Sequence, residues 1–233
     1  MMSWRMVFFW LAAIVNLLTE IFLPATTYEA VSKLTLMPLL WWAHAQEPIW
    51  AKKLLWPLAL AWLGDICMLY DGPDKFGLWA LAAGATFFGI MQLIYFYYLW
   101  PLRKQLVGRP NFWPLLLFWM LAQAVFFGLA RLYLEDNWPM IGFILFYSGS
   151  HLAMVFFAIW LLLGSAIKPG ILIGSVLFVV TDLIIGFATF VVSMNHEQDF
   201  WVMLSYILAQ WLIVNGLWRH WQHAAQLSLS AKP

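Results

Sequence analysis

The chain has 233 residues, of which 64% are hydrophobic and only 10% are charged, and its formal net charge is +1. A soluble domain could not bury this much apolar surface, so the composition excludes a soluble enzyme and indicates an integral membrane protein. A net charge this close to zero gives no indication of a nucleic-acid partner, and Cys67, the one cysteine, excludes an intrachain disulfide.

Eight apolar segments of membrane-spanning length follow one another, which predicts an all-α fold, a polytopic membrane bundle of eight transmembrane helices. Turn residues such as Gly72-Pro73 and Pro169-Gly170 separate the segments. Every connection is short, so we expect one integral-membrane domain over residues 1–233. The predicted helices lie near residues 6–24, 30–46, 50–70, 76–101, 112–131, 138–165, 170–194 and 200–218.

Basic residues in the connections predict the orientation of the chain. One side would hold both termini and nine Lys and Arg residues, whereas the other side would hold only Lys75 and Arg131. Basic connections stay in the cytoplasm, so we expect both termini there and the protein in the bacterial cytoplasmic (inner) membrane. A cleaved signal peptide is a poorer interpretation of the first segment, because Asn16 and Glu20 interrupt its apolar core. The nine basic residues are Arg5, Lys52, Lys53, Arg103, Lys104, Arg109, Lys168, Arg219 and Lys232.

Two aspartates deep in apolar segments are the strongest candidates for a site. Asp65 lies in the third predicted helix and Asp182 near the middle of the seventh. A carboxylate at such a depth costs at least about 2.5–3.5 kcal/mol, so these residues usually face a cavity and mark function. Burial also favours the neutral, proton-donating form of a carboxylic acid. We therefore expect Asp65 and Asp182 to be the catalytic residues of a shared pocket.

Seven other polar residues of the apolar segments are candidates for substrate binding, and each also has a structural interpretation. Glu20 and Lys33 could form an ion pair, and the (i, i+4) pairs Tyr147–His151 and Tyr206–Gln210 could be packing or interhelical hydrogen bonds. Adjacent residues on a helix point about 100° apart, which argues against a nucleophilic pair of Ser150 and His151. The seven candidates are Lys33, Glu20, Gln92, Tyr147, His151, Tyr206 and Gln210.

Five short motifs, in the same order along nearly the whole chain, resemble those of the YhhN-like lysoplasmalogenase family. The aspartate motifs are Leu63-Gly64-Asp65, like the family's Gly-Asp, and Gly174-Ser175-x-x-Phe178-x-x-Thr181-Asp182, like its Gly-Ala-x-x-Phe-x-x-Ser-Asp. The others are Ser32-Lys33-Leu34-Thr35, like its early lysine motif, Tyr147 with Met154, and Tyr206-x-x-Ala209-Gln210, like its closing Tyr-x-x-Ala-Gln. One position departs from the pattern, because Gln92 stands where the family usually has a histidine of its fourth helix.

The resemblance implies a hydrolase that cleaves the vinyl ether of a lysophospholipid to a fatty aldehyde and a glycerophospho-base. We expect neither a metal nor an organic cofactor. The substrate would be a lysophospholipid in the bilayer, and the oligomeric state stays open. Two alternatives remain open. Gln92, whose amide does not titrate, is compatible with a catalytically inactive lysolipid-binding relative, and two intramembrane carboxyls are compatible with a proton-coupled transporter of a lipid or small amphiphile.

Overall fold

A computed structural model describes residues 3–45, 48–70, 75–108, 110–134, 137–190 and 196–230. Over these residues the fold is all-α, which confirms the predicted class. It contains eight α-helices and a 3-10 helix at Trp100–Gln105. The α-helices are α1 (Trp4–Phe22), α2 (Thr27–His44), α3 (Pro48–Met68), α4 (Lys75–Leu99), α5 (Trp113–Leu134), α6 (Trp138–Leu163), α7 (Pro169–Phe190) and α8 (His196–Ser230).

Five helical segments of the described chain are long and apolar enough to cross a bilayer, as an integral membrane protein requires. Glu29 and Lys33 in α2, and Lys52, Lys53 and Asp65 in α3, make those two helices less apolar. The shorter apolar segment Pro169–Ile185 belongs to α7. The five segments are Trp4–Phe22, Trp79–Gln105, Trp113–Leu132, Trp138–Leu163 and Gln198–His223.

The last helix is longer than its sequence pattern predicts, because it continues to Ser230 rather than ending near residue 218. Gly216 does not end it, since the chain stays helical and Ile171 packs against this glycine. No proline follows in the rest of α8, so nothing in the sequence stops the helix there. The predicted helix ends at residues 46 and 194, and two of the nine basic residues, Arg109 and Lys232, lie outside the described residues.

The chain divides into two compact units. The terminal unit comprises Met1–Ala59 and Lys168–Pro233, and the central unit comprises Leu60–Ile167. In the terminal unit α1 packs on α2 and α8, and α7 packs on α8. In the central unit α6 packs on both α4 and α5.

Side-chain caps fix the turn between the first two helices of the terminal unit. The Thr26 hydroxyl accepts a hydrogen bond from the Glu29 amide, and the Glu29 carboxyl accepts one from the Ala25 amide. The two bonds together cap the helix, because they satisfy amides at the helix start that would otherwise lack partners. This cap begins α2 two turns before Lys33 and turns the chain back along α1.

An aromatic cluster joins α3 to α8 at the other end of the terminal unit. The Trp50 and Trp221 rings stack with centroids 5.2 Å apart. The Lys53 ammonium lies 5.0 Å from the Trp50 centroid and 5.1 Å from that of Trp221. Indole rings and cations gather where a bilayer meets water, so this cluster marks an interface level on the two helices.

Glycine lets α7 and α8 approach closely. A Cβ atom at position 174 would lie 2.8 Å from the carbonyl oxygen of Ala209 and 2.9 Å from Ile213 Cγ1. Because Ala209 contributes a backbone atom, no side-chain rotation relieves that contact. We expect Gly174→Ala to force the two helices apart and to destabilise the protein by about 1–3 kcal/mol, as overpacking does.

The measurement is thermal unfolding of the purified protein in detergent. Gly142→Ala is the matched control, because no atom lies within 4 Å of the added Cβ and alanine favours a helix interior. Equal unfolding temperatures for Gly174→Ala and Gly142→Ala would contradict the close approach of α7 and α8.

Candidate functional site

The candidate residues fall in both units. Asp65 and Asp182 lie in different units, so their pairing stays a prediction. The candidates of the terminal unit are Glu20, Lys33, Asp182, Tyr206 and Gln210, and those of the central unit are Asp65, Gln92, Tyr147 and His151.

Contacts between α7 and α8 place Asp182, Tyr206 and Gln210 on one antiparallel helix pair. The hydroxyl oxygens of Thr181 and Ser205 lie 2.7 Å apart. One turn back along α7, the ring of Phe178 lies 5.7 Å from the ring of Tyr206. Asp182 follows Thr181 directly, so its backbone lies near the level of Ser205.

Exposure differs among these three candidates. Tyr206 and Gln210 are 4% and 0% exposed, whereas Asp182 is half-buried. The carboxyl-bearing residue is therefore the most accessible of the three. This is the distribution expected of a group that meets a substrate beside a polar, buried wall.

A second group of polar side chains joins α1 to α2. Asn16 Nδ2 donates to Ser32 Oγ at 3.0 Å, and Thr19 Oγ1 lies 2.9 Å from the same oxygen. Ser32 Oγ in turn donates to the carbonyl of Glu29 at 2.8 Å. Asn16, Thr19 and Ser32 are all buried, so these hydrogen bonds are shielded from water. Sequence reasoning did not identify this network, although polar residues one helical turn apart in an apolar segment are a usable signal.

Glu20 lies next to this network, and it is only 3% exposed. Its carboxyl hydrogen-bonds to the Asn16 side chain and interacts electrostatically with Lys33. Glu20 Oε1 and Asn16 Oδ1 are buried, and neither has a hydrogen-bond partner among the described residues. The network therefore leaves two acceptor oxygens that need a donor.

Two interactions indicate how α1 lies against α8. The Glu20 carboxyl interacts electrostatically with Asp199, at the start of α8. The ring of Trp10, which precedes Glu20 on α1, and the ring of Trp211, which follows Asp199 on α8, have centroids 5.2 Å apart. The two helices are therefore antiparallel, and Glu20 lies near one end of the pair.

In the central unit, close contacts bring three helices to one level around Asp65. A Cβ at Gly64 would lie 2.7 Å from the ring of Phe88, and a Cβ at Gly89 would lie 3.3 Å from Ser150 Oγ. These contacts put three segments at a similar depth: Gly64 and the residue after it on α3, the turn after Phe88 on α4, and Ser150 with His151 on α6. Asp65, Gln92 and His151 belong to these three segments and are 2%, 1% and 3% exposed.

Gln92 carries a buried carbonyl oxygen. Its Oε1 has no hydrogen-bond partner within the described part of the chain. Leaving such an acceptor unsatisfied costs about 1–3 kcal/mol. A bound water or a substrate hydroxyl would supply the missing donor at this position.

The hydrogen bonds of His151 define which of its nitrogens carries the proton. Nδ1 lies 2.9 Å from the carbonyl oxygen of Tyr147, which can only accept, so Nδ1 is the protonated nitrogen. Ser150 Oγ donates to the same carbonyl at 2.8 Å. Although Ser150 Oγ and His151 Nδ1 are 3.3 Å apart, Nδ1 holds a proton and cannot accept one from the serine. This geometry does not make a nucleophilic serine.

The rings of Tyr147 and His151 lie against each other, with centroids 4.4 Å apart. Tyr147 is half-buried, whereas His151 is buried. Within the described residues, no three His, Cys, Asp or Glu side chains come together as a metal site. The polar groups suited to a ligand are therefore carboxyls, amides, hydroxyls and Lys33.

The sequence profile of the YhhN family matches residues 28–217, and the chain belongs to that family. The matched segment includes every candidate residue except Glu20, which precedes it on α1. No curated protein and no solved structure matches the chain.

The hydrogen bond between Thr181 and Ser205 yields a stability prediction. In Thr181→Val the side chain keeps its shape but loses its hydroxyl, so the bond between α7 and α8 is lost. We expect a loss of about 1 kcal/mol, the typical net contribution of such a bond. A double-mutant cycle with Ser205→Ala, followed by unfolding in detergent, should give a coupling energy of about 0.5–1.5 kcal/mol.

Thr86→Val is the matched control, because Thr86 Oγ1 donates a hydrogen bond to the carbonyl oxygen of Ala82 within its own helix. Its cycle with Ser205→Ala should show additive losses. Additivity in the Thr181–Ser205 cycle as well would mean that this bond does not hold the two helices together.

Proposed function

We propose that this member of the YhhN family is a membrane-embedded ether hydrolase that cleaves the vinyl ether of lysoplasmalogen-like lysophospholipids. The products would be a fatty aldehyde and a glycerophospho-base. The observation that carries the proposal is the burial of the Asp65 carboxyl, which is only 2% exposed within an apolar unit. A carboxyl so placed is suited to holding and delivering a proton near neutral pH.

The chemistry of the vinyl ether requires such a group. Protonation of the β-carbon breaks the carbon–carbon double bond and gives an oxocarbenium ion. Water adds to this cation and loses a proton, which gives a hemiacetal. Collapse of the hemiacetal releases the aldehyde and the glycerol hydroxyl. The enzyme must therefore supply one proton donor, one proton acceptor and a negative charge near the cation.

The two aspartates fit these roles through their different exposure. Asp65 is buried, and burial disfavours the charged form, so we assign it as the general acid. Asp182 is half-buried, which suits an ionised carboxylate that stabilises the cation and accepts the proton of the attacking water. Two carboxyls with unlike environments divide acid and base roles in other acetal-cleaving enzymes.

Other polar residues would bind the water and the glycerophospho-base. Gln92 Oε1 would accept a hydrogen bond from the attacking water, and Gln210 and Tyr206 would line the site beside it. Lys33 carries the positive charge that a phosphate requires. Apolar walls would hold the alkenyl chain, with about 0.8 kcal/mol for each buried methylene. The bilayer of a bacterial inner membrane, with both chain termini in the cytoplasm, is the proposed location.

The roles of the aspartates are tested by single replacements. We expect Asp65→Asn and Asp182→Asn each to lower the rate of aldehyde release by about 10²–10⁴-fold, the usual contribution of a general acid or base. If the two act in one step, the double variant should be little slower than either single variant. The assay uses purified protein and a lysoplasmalogen in detergent micelles.

Asp199→Asn is the matched control and should retain the rate within about threefold, because Asp199 is an aspartate outside the proposed pair. Full activity of either Asp65→Asn or Asp182→Asn would remove that residue from the mechanism. Proton-driven lipid flux in proteoliposomes, with no aldehyde formed, would instead favour the transporter.

Gln92 separates the hydrolase from a catalytically inactive lysolipid-binding relative. If the aspartates do the proton transfer, the natural protein releases aldehyde and Gln92→His changes kcat by less than about tenfold, since the histidine only replaces one hydrogen-bonding group by another. If the chain is an inactive relative, the natural protein binds lysolipid without turnover. The measurement is aldehyde release by both proteins, with Gln123→His as the control. Turnover that appears only in Gln92→His would overturn the proposed activity.

A further inference from the structure

We infer that Asn16, Glu20 and Lys33 form a site for a phosphoethanolamine headgroup, with the two acceptor residues on the ammonium and Lys33 on the phosphate. This inference rests on the proposed function, because it names the headgroup of the lysophospholipid substrate. The three residues of this site lie on α1 and α2 of the terminal unit.

Two acceptor oxygens of this cluster have no hydrogen-bond partner among the described residues. Asn16 Oδ1 and Glu20 Oε1 are buried in residues that are 0% and 3% exposed. The amide nitrogen of Asn16 is already used, since it donates to Ser32 Oγ at 3.0 Å and is the donor available for the Glu20 carboxyl. A ligand with several N–H donors would satisfy both oxygens at once. A primary ammonium has three N–H donors, whereas the trimethylammonium of choline has none.

The cluster contains one acidic and one basic side chain. Glu20 carries the carboxyl of the cluster, and the half-buried Lys33 on α2 lies close enough to interact with it electrostatically. A negative and a positive group on adjacent helices complement the two charges of a phosphoethanolamine zwitterion. Groups of opposite charge that are held apart from water interact more strongly than they would at a surface.

The spacing along α8 also suits this headgroup. Glu20 is close enough to Asp199 for their carboxyls to interact electrostatically, and Asp182 lies near the level of Ser205. The helical rise puts Asp199 and Ser205 about 9 Å apart along α8. An extended glycerophosphoethanolamine reaches over such a distance from its ammonium to the oxygen at the sn-1 position. A headgroup at Glu20 therefore leaves the vinyl ether near the level of Asp182.

The test is binding of two ethers that cannot be hydrolysed, 1-O-alkyl lysophosphatidylethanolamine and the matching choline lipid. Calorimetric titration of the full chain in detergent should show the ethanolamine lipid binding about tenfold more tightly, as hydrogen bonds to a charged group give. Glu20→Gln should lower the affinity for the ethanolamine lipid about tenfold and leave the choline lipid within about threefold. Glu20→Asp should restore part of the preference.

Glu29→Gln is the matched control, because it removes a neighbouring carboxylate that caps α2 rather than lining the cluster. It should retain the preference, and unfolding temperatures should confirm that each variant is folded. Equal affinity of the natural protein for the two lipids, or an equal loss for both in Glu20→Gln, would overturn the inference.

The outcome for the headgroup is independent of the outcome for the reaction. A headgroup preference without aldehyde release from a lysoplasmalogen would end the proposed hydrolysis and support the headgroup site. Aldehyde release with equal affinity for the two ethers would support the hydrolysis and end the headgroup site.

Discussion

A polar side chain inside a bilayer has no water to bind, so it is stable only where another part of the protein satisfies it. The terminal unit meets this constraint with hydrogen bonds between helices. Ser32 joins α2 to Asn16 of α1, and Thr181 joins α7 to Ser205 of α8. These bonds hold the helices that carry Glu20, Lys33 and Asp182. Among the described residues, the buried oxygens without hydrogen-bond partners, such as Asn16 Oδ1 and Glu20 Oε1, are then the places where a ligand gains most.

In the central unit, helices pack closely around the buried polar side chains. Gly64 and Gly89 let the ring of Phe88 and the side chains of α6 fill the space beside them. This packing excludes water around Asp65 and Gln92, which makes their polar atoms costly to leave unsatisfied. His151 also fits a structural role in this packing, because its Nδ1 donates a hydrogen bond to the carbonyl oxygen of Tyr147.

Most of the fold follows from the sequence, since each apolar segment is long enough to predict a helix and turn residues separate the segments. The end of α8 did not follow, because Gly216 stays helical beneath Ile171, a contact that no local pattern reveals. Carboxyls in apolar segments, such as Asp65 and Asp182, stand out in the sequence for their energetic cost. The network of Asn16, Thr19 and Ser32 does not, because its bonds exist only once α1 packs on α2. The pairing of Asp65 with Asp182 stays a prediction for the same reason.

The stacked Trp50 and Trp221 rings with Lys53 have a consequence for the membrane leaflet from which the proposed lysolipid substrate would enter. If these rings lie at one membrane–water interface, the helical rise from Trp221 puts Ser205 about 24 Å from that interface along α8. Asp182 lies near the level of Ser205. The hydrocarbon layer is only about 30 Å thick, so Asp182 belongs to the far leaflet. A lysolipid in that leaflet would bring its sn-1 chain to Asp182 without moving its charged headgroup through the hydrocarbon core. The position of the Trp50–Trp221 cluster at one membrane surface would thus determine that substrate enters from the opposite leaflet.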